Sequence, residues 1–302
     1  MQVRGLEAGE LHFTRRFGLL LAAFLTSVLA AVAAGCGGSE GGDALSVGLI
    51  PNQSPEEVQA EYQPLQEYLS EELDRPVELE VPTSYNAVVE AMTSGELDLA
   101  YFGGLTYVQA RERADVSPLV TEINPRTGDT TYRSAIIVPA DSDIERVGDI
   151  EGQDFAFGSA SSTSGSLYPA IMLQDAGIDY RSDLGEYTYT GGHDATAQAV
   201  ANGRVDAGGL EYRILLDLVE EGAIDEDSYR VIETISVEGY PWVVRDALPD
   251  DTTDEVARAF MDIENPELLD LLRARGYERV QAGDYAEVED RARELDLLTP
   301  SE

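Results

Sequence analysis

The densest chemistry in the chain is the run Gly158-Ser-Ala-Ser-Ser162-Thr163-Ser164-Gly165, which follows the apolar triplet Phe155-Ala-Phe157 and precedes a helical pattern. Hydroxyls and free backbone N–H groups converge at such a strand-to-helix turn, and the helix dipole adds partial positive charge. That combination binds a tetrahedral oxyanion without a cationic side chain. A Ser/Thr N-cap would need only one hydroxyl, so three in succession before a glycine favour anion binding over a cap alone. His193, in Gly-Gly-His193-Asp, is the second candidate: either ring nitrogen of a protonated His can donate to an oxyanion. The other reading of His193 is an ordinary capping or surface histidine.

Other chemistries fit less well. The only other histidine is His12, near the N-terminus, and Cys36 is the single cysteine, so neither a His-rich metal site nor an intrachain disulfide can be built. A secreted Ser-His-Asp hydrolase, using the serine run with His193 and Asp194 or Asp206, stays conceivable. Yet no Gly-x-Ser-x-Gly elbow exists and no hydroxyl is singled out as nucleophile. The chain has no Lys, which removes Schiff-base chemistry and the Walker phosphate loop. With 58 acidic against 20 basic residues, a net charge of −38 makes nucleic acid a poor partner. The acid excess fits adaptation to high salt; a GC-rich genome would explain Arg for Lys but not the excess of acid.

The elements that must position these residues alternate between strand and helix. Strands are expected at 45–50, 77–81 and 97–101, with helices at 55–73, 85–93 and from Leu105; Leu119-Val120 begins a further strand. A second set follows: strands at 134–138, 155–157, 186–190, 205–208 and 229–235, with helices at 165–175, 193–201 and 212–221. Pro241 to Arg245 reads as extended, then come helices at 254–263 and 266–275 and a charged, solvated helical tail to Leu298. Short strands separated by helices imply parallel α/β sheets.

One segment repeats. Tyr85-Asn-Ala-Val-Val-Glu-Ala-Met-Thr-Ser-Gly95-Glu-Leu-Asp98 aligns without gaps on His193-Asp-Ala-Thr-Ala-Gln-Ala-Val-Ala-Asn-Gly203-Arg-Val-Asp206. Two matching α/β lobes fit a two-lobed binding architecture in which Tyr85 and His193 face each other across a cleft, at helix starts beyond the strand ends. The alternative is that helix-Gly-strand is merely a common α/β phrase.

The N-terminus carries an export pattern. Arg15-Arg16 precede an apolar run from Phe17 to Ala34, then Gly35-Cys36 and a flexible stretch to Asp43. Cys36 after Ala-Ala-Gly resembles the bacterial lipoprotein box, in which the Cys is diacylated; Ala33 stands where that box prefers Leu. An uncleaved membrane anchor is the alternative. A twin-arginine signal is only partly matched, because Gly18 breaks it. The working part is expected outside the cytoplasm, tethered to the outer face of the membrane.

Taken together, Ser-Tyr85-Asn-Ala-Val-Val-Glu-Ala, Leu-Asp-Leu-Ala-Tyr101-Phe102-Gly-Gly-Leu-Thr-Tyr107, Ser162-Thr-Ser-Gly165, Gly-Gly-His193-Asp, Val205-Asp-Ala-Gly208 and Gly239-Tyr-Pro-Trp242 resemble the phosphate/phosphite/phosphonate-binding proteins of ABC importers. The motifs lie in order over nearly the whole chain after Cys36. The resemblance implies a two-lobed periplasmic-binding-protein-like α/β fold: signal 1–35, tether 36–43, lobe one 44–132 with the return part 240–302, and lobe two 133–239. It implies that Ser162, Thr163, Ser164, His193 and Tyr85 hold the phosphorus oxygens, with Phe102 as a wall. Tyr101 and Tyr240 are weaker candidates, as is Glu211, which lies near a position where aminoalkylphosphonate binders carry an acid. Tyr240 stands where those binders carry another, which favours phosphite, phosphate or methylphosphonate. It further implies a monomer without enzyme chemistry or cofactor, delivering its ligand to a membrane permease and its ATPase. A different small oxyanion or organic solute, or presentation to a membrane sensor, would use the same scaffold.

Overall fold

The computed structural model describes residues 44–299; the signal, Cys36 and tether expected within 1–43 lie outside the described residues. Two mixed sheets organise the chain. The first has six strands in the order β11-β4-β10-β3-β1-β2: β1 Leu45–Leu49, β2 Val77–Glu80, β3 Leu99–Tyr101, β4 Val116–Glu122, β10 Pro241–Arg245 and β11 Tyr277–Arg279. The second has five, in the order β7-β6-β8-β5-β9: β5 Thr131–Pro139, β6 Phe155–Phe157, β7 Tyr187–Tyr189, β8 Ala207–Glu211 and β9 Tyr229–Glu238. The chain therefore crosses between the sheets twice, after Glu122 and after Glu238.

The helices follow the apolar periodicity. Helix α1 (Pro55–Glu72) is capped by Ser54, starts with proline, and buries Val58, Tyr62, Leu65 and Leu69, the stripe that the sequence predicts. Helices α2 (Tyr85–Ser94) and α3 (Gly104–Arg111) complete the first set. Helices α4 (Tyr168–Asp175), α5 (His193–Ala201) and α6 (Tyr212–Glu220) serve the second sheet. Helices α7 (Asp250–Met261), α8 (Pro266–Leu271) and α9 (Ala286–Glu294) close the chain. Among the described residues no helix is long and apolar enough to cross a membrane.

The repeat is structural. Tyr85 and His193 each open a helix, and Gly95 and Gly203 each follow one with positive φ, 83° and 63°, a region open to glycine at little cost. Asp98 accepts the amide of Ser46 at 3.1 Å, and Asp206 accepts that of Asp154 at 2.9 Å, both across 52 residues. The offset that carries Tyr85 onto His193 also carries Ser54 onto Ser162, each of which caps its helix through its hydroxyl. Strand order β2-β1-β3-β10 in one sheet matches β7-β6-β8-β5 in the other.

Three expectations are corrected. The sheets are mixed, not parallel: the pairs β3–β10, β10–β4 and β4–β11 are antiparallel in the first, and β8–β5 and β5–β9 in the second. The short links between sheets carry no crossover helix, so they need not return strands in parallel. Strand β8 runs from Ala207 to Glu211, later than the expected 205–208, because the turn at Gly203 extends through Asp206. The C-terminal tail is not simply a solvated helix: Tyr277–Arg279 pairs with β4, and Tyr285, Val288 and Ala292 are buried.

Candidate ligand-binding site

The Ser-Thr-Ser run begins with a single π turn, Thr163–Leu167, in which the Leu167 amide reaches back to the Ser162 carbonyl at 3.0 Å, before α4 takes over. Such wide turns recur at functional sites. At any helix start the first N–H groups have no acceptor within the helix, and here they belong to Thr163 and Ser164.

The three hydroxyls have three different surroundings. Ser162 Oγ accepts the Gly165 amide at 3.0 Å and so caps the turn. Thr163 Oγ1 accepts the Leu105 amide at 2.9 Å, reaching the start of α3 beside the other sheet. Ser164 Oγ is buried without a hydrogen-bond partner, although its carbonyl accepts from Ser134 Oγ at 2.7 Å. Of the three hydroxyls in the run, Ser162 alone makes the cap.

His193 meets the same turn. A methyl group placed on Gly165 would lie 3.0 Å from His193 Cε1 and 3.2 Å from Gly158 Cα, so a side chain there would push on the imidazole and on the facing backbone. The Glu211 amide donates to His193 Nδ1 at 3.2 Å, which leaves the ring proton on Nε2, a buried atom with no partner. Burial lowers the His193 pKa to about 4, against the pull of Glu211, so the ring is neutral at pH 7 and offers one donor. The His193 amide in turn donates to the Asn52 carbonyl at 2.9 Å, at the end of β1, tying the two sheets together. Ser161 Oγ makes a second such tie to Asn86 Oδ1 at 2.7 Å.

Tyrosines complete the enclosure. The Tyr85 hydroxyl comes near that of Ser162, and the Tyr132 hydroxyl comes near that of Ser164 without meeting hydrogen-bond geometry. Burial pushes both phenols up, so both remain neutral donors. Tyr132 was not among the residues marked by sequence; a lone Tyr at the start of an apolar strand carries no signal of its own. Its hydroxyl is the third buried polar atom near this turn without a hydrogen-bond partner.

Glu211 and Tyr240 lie together at the edge of the site. Arg213 Nε donates to Glu211 Oε1 at 2.7 Å, and the Tyr240 hydroxyl donates to Oε2. Burial would raise the Glu211 carboxyl, but the Arg213 guanidinium and the Tyr240 hydroxyl outweigh it and hold the group below its usual range. Tyr101 turns inward, its ring stacked on Tyr240 at 5.2 Å and 17°, in a ladder that continues to Tyr62 and Trp242. Phe102 is fully buried in the first core, its amide donating to the Pro241 carbonyl at 3.0 Å. It stands one residue before Gly103, where an added Cβ would press on Thr163 Oγ1 at 2.8 Å.

The architecture and sequence match known proteins. A family profile described as "ABC transporter, phosphonate, periplasmic substrate-binding protein" matches residues 47–287. The probable ABC transporter phosphite binding protein PhnD1 of Prochlorococcus marinus (strain MIT 9301) is 26% identical over 84% of this chain and 90% of its own length. The phosphate-import protein PhnD of Mycolicibacterium smegmatis is 29% identical over 72% of this chain and 71% of its own. The crystal structure of PhnD1 in complex with methylphosphonate superposes with a TM-score of 0.75, covering 84% of this chain and 98% of that one.

Proposed function

The chain belongs to the periplasmic substrate-binding proteins of phosphonate ABC transporters, and on that premise we propose that it captures a small phosphorus oxyanion between its two sheets. The observation that carries this reading is the set of three buried polar atoms without partners, Ser164 Oγ, Tyr132 OH and His193 Nε2, at one helix start. Each can donate, and together with the N–H groups of the π turn they suit several oxygens on one tetrahedral centre. Neutral donors held in place bind an anion strongly where water is excluded.

The ligand is small and lacks an ammonium group. Both oxygens of Glu211 already accept, from Arg213 and Tyr240, and the paired guanidinium offsets its charge, which weakens its pull on an aminoalkyl ammonium. Phosphite, phosphate and methylphosphonate fit this description, in keeping with the ligands named for the relatives.

Residues 44–122 with 241–299 act as one lobe and 131–238 as the other, hinged at the two crossings between them. Ligand meets the π turn first; closure then brings Tyr85 and the start of α3 onto it. The protein works outside the cytoplasm, held at the membrane by lipid on Cys36, as a monomer that hands its cargo to a permease without chemical change.

Calorimetric titration of the form lacking residues up to Cys36 tests the ligand class, with phosphate, phosphite, methylphosphonate and 2-aminoethylphosphonate, and sulfate as control. Tight one-to-one binding of one of the first three is expected. Silence from all of them, with folded protein, would remove the ligand class.

A further inference from the structure

Helix α6 presents Arg213, Asp217 and Glu220 on one face, since residues three and four apart share a stripe. All three pair with residues outside the second sheet. Arg213 Nη2 meets Glu122 Oε1 at 3.0 Å, at the end of β4. Arg273 Nε meets Asp217 Oδ2 at 2.5 Å, while its Nη1 holds Glu61 of α1 at 2.5 Å and its Nη2 holds Gln53 at 3.2 Å. Arg126, in the first crossing, meets Glu220 at 3.5 Å.

The pairs differ in exposure along the helix. Side-chain exposures are 10% and 3% for Arg213 and Glu122, 20% and 26% for Arg273 and Asp217, and 57% and 72% for Arg126 and Glu220. Salt therefore screens the outermost pair and hardly reaches the innermost. The charge order along α6, positive then twice negative, meets negative then twice positive. A slip by one turn would set Asp217 against Glu122, so the order admits a single docking register. The inner pair also touches the ligand site: Arg213 holds Glu211, whose amide orients His193, and its guanidinium lies 5.2 Å from the Tyr132 ring and 5.9 Å from that of Tyr240.

We propose that Glu122, Arg213 and Asp217 are positioning residues that latch the closed form and set how slowly ligand leaves, without touching it. This rests on the binding reading above. Both inner pairs join α6 to the other lobe, Glu122 beside the first crossing and Arg273 after α8, so opening must separate Asp217 from Arg273 and strain the desolvated Arg213–Glu122 pair at the hinge. The latch accordingly acts on dissociation and leaves the encounter rate alone.

The test uses two readouts in the soluble form. Trp242, the only tryptophan, sits 5.0 Å from the Tyr101 ring and reports ligand release by fluorescence after stopped-flow dilution of the methylphosphonate complex. Glu122→Gln and Asp217→Asn should each speed release about tenfold, Asp217→Glu should restore most of the retention, and Arg126→Gln should change it less than about twofold. Single-molecule transfer between dyes at the exposed positions 56 and 226 gives the closed fraction with and without ligand. If no phosphorus oxyanion raises that fraction in the unaltered protein, the binding reading fails. The latch is overturned if the closed fraction, with or without ligand, is the same in the unaltered protein and in the Glu122→Gln, Asp217→Asn double variant.

Discussion

Thr163 Oγ1 accepts the amide of Leu105 at 2.9 Å, so the first turn of the serine-rich helix and the first turn of α3 on the other sheet share one hydroxyl. A residue that reads as a ligand donor from sequence is also an acceptor between sheets. Its remaining O–H is free to point at an anion.

Thr163→Val removes both bonds at nearly constant volume. Affinity for the bound oxyanion should fall at least tenfold, the weight of about one buried hydrogen bond, while Thr163→Ser keeps most of it. Calorimetry decides, and an unchanged affinity would exclude Thr163 from the site. Gly103→Ala should act similarly, since its Cβ would sit 2.8 Å from the same oxygen.

Ser162 and Ser164 should separate stability from binding. Ser162→Ala removes the cap on the Gly165 amide and should cost about 1 kcal/mol of folding stability. Ser164→Ala removes a hydroxyl without a protein partner, so its stability should stay near that of the unaltered protein while affinity drops. Denaturant melts and titrations of the two variants, side by side, check the contrast.

His193 makes stability depend on pH. Unfolded, it takes up a proton near 6.5; folded, only near 4. The unfolded chain therefore binds more protons between those values, and stability declines as pH falls through that window. The loss attributable to His193 approaches about 3 kcal/mol below pH 4 and vanishes above about pH 7.5. Unfolding free energies at several pH values, compared with those of His193→Gln, isolate it; parallel curves for the two proteins would contradict the neutral buried ring.

Tyr240 should set the choice between ligands. Tyr240→Phe withdraws the hydroxyl from Glu211 Oε2 and leaves a carboxylate edge in need of a donor. The ratio of 2-aminoethylphosphonate to methylphosphonate affinity should then rise about tenfold or more. A ratio that stays level in competition titrations would mean that Glu211 does not face the ligand.

Much of the fold is legible because local rules and the global arrangement agree. The α1 stripe, the triplet 155–157, the strand 241–245 and the helix 193–201 stand where periodicity and glycines predict them. The internal repeat was readable as well, since Gly95 with Asp98 and Gly203 with Asp206 mark the same turn-to-strand joint. Strand direction and the C-terminal edge strand were not readable. Tyr277-Glu-Arg279 is too short and polar to announce itself, and only pairing with β4 makes it a strand.

By itself the sequence determined which residue types gather at the serine-rich turn, that a histidine and a tyrosine open equivalent helices, and that no lysine serves the anion. These follow from local periodicity and composition, which a chain carries before it folds. Only the tertiary structure decided what each group does. Ser162 caps, Thr163 bridges and Ser164 is left to donate because distant segments supply or withhold their partners. The Glu211 amide, not the His193 ring itself, selects the Nε2 proton, and burial, which no sequence window contains, keeps that ring neutral. The α6 stripe belongs to the same class, since its partners Glu122, Arg273 and Arg126 all lie outside the second sheet.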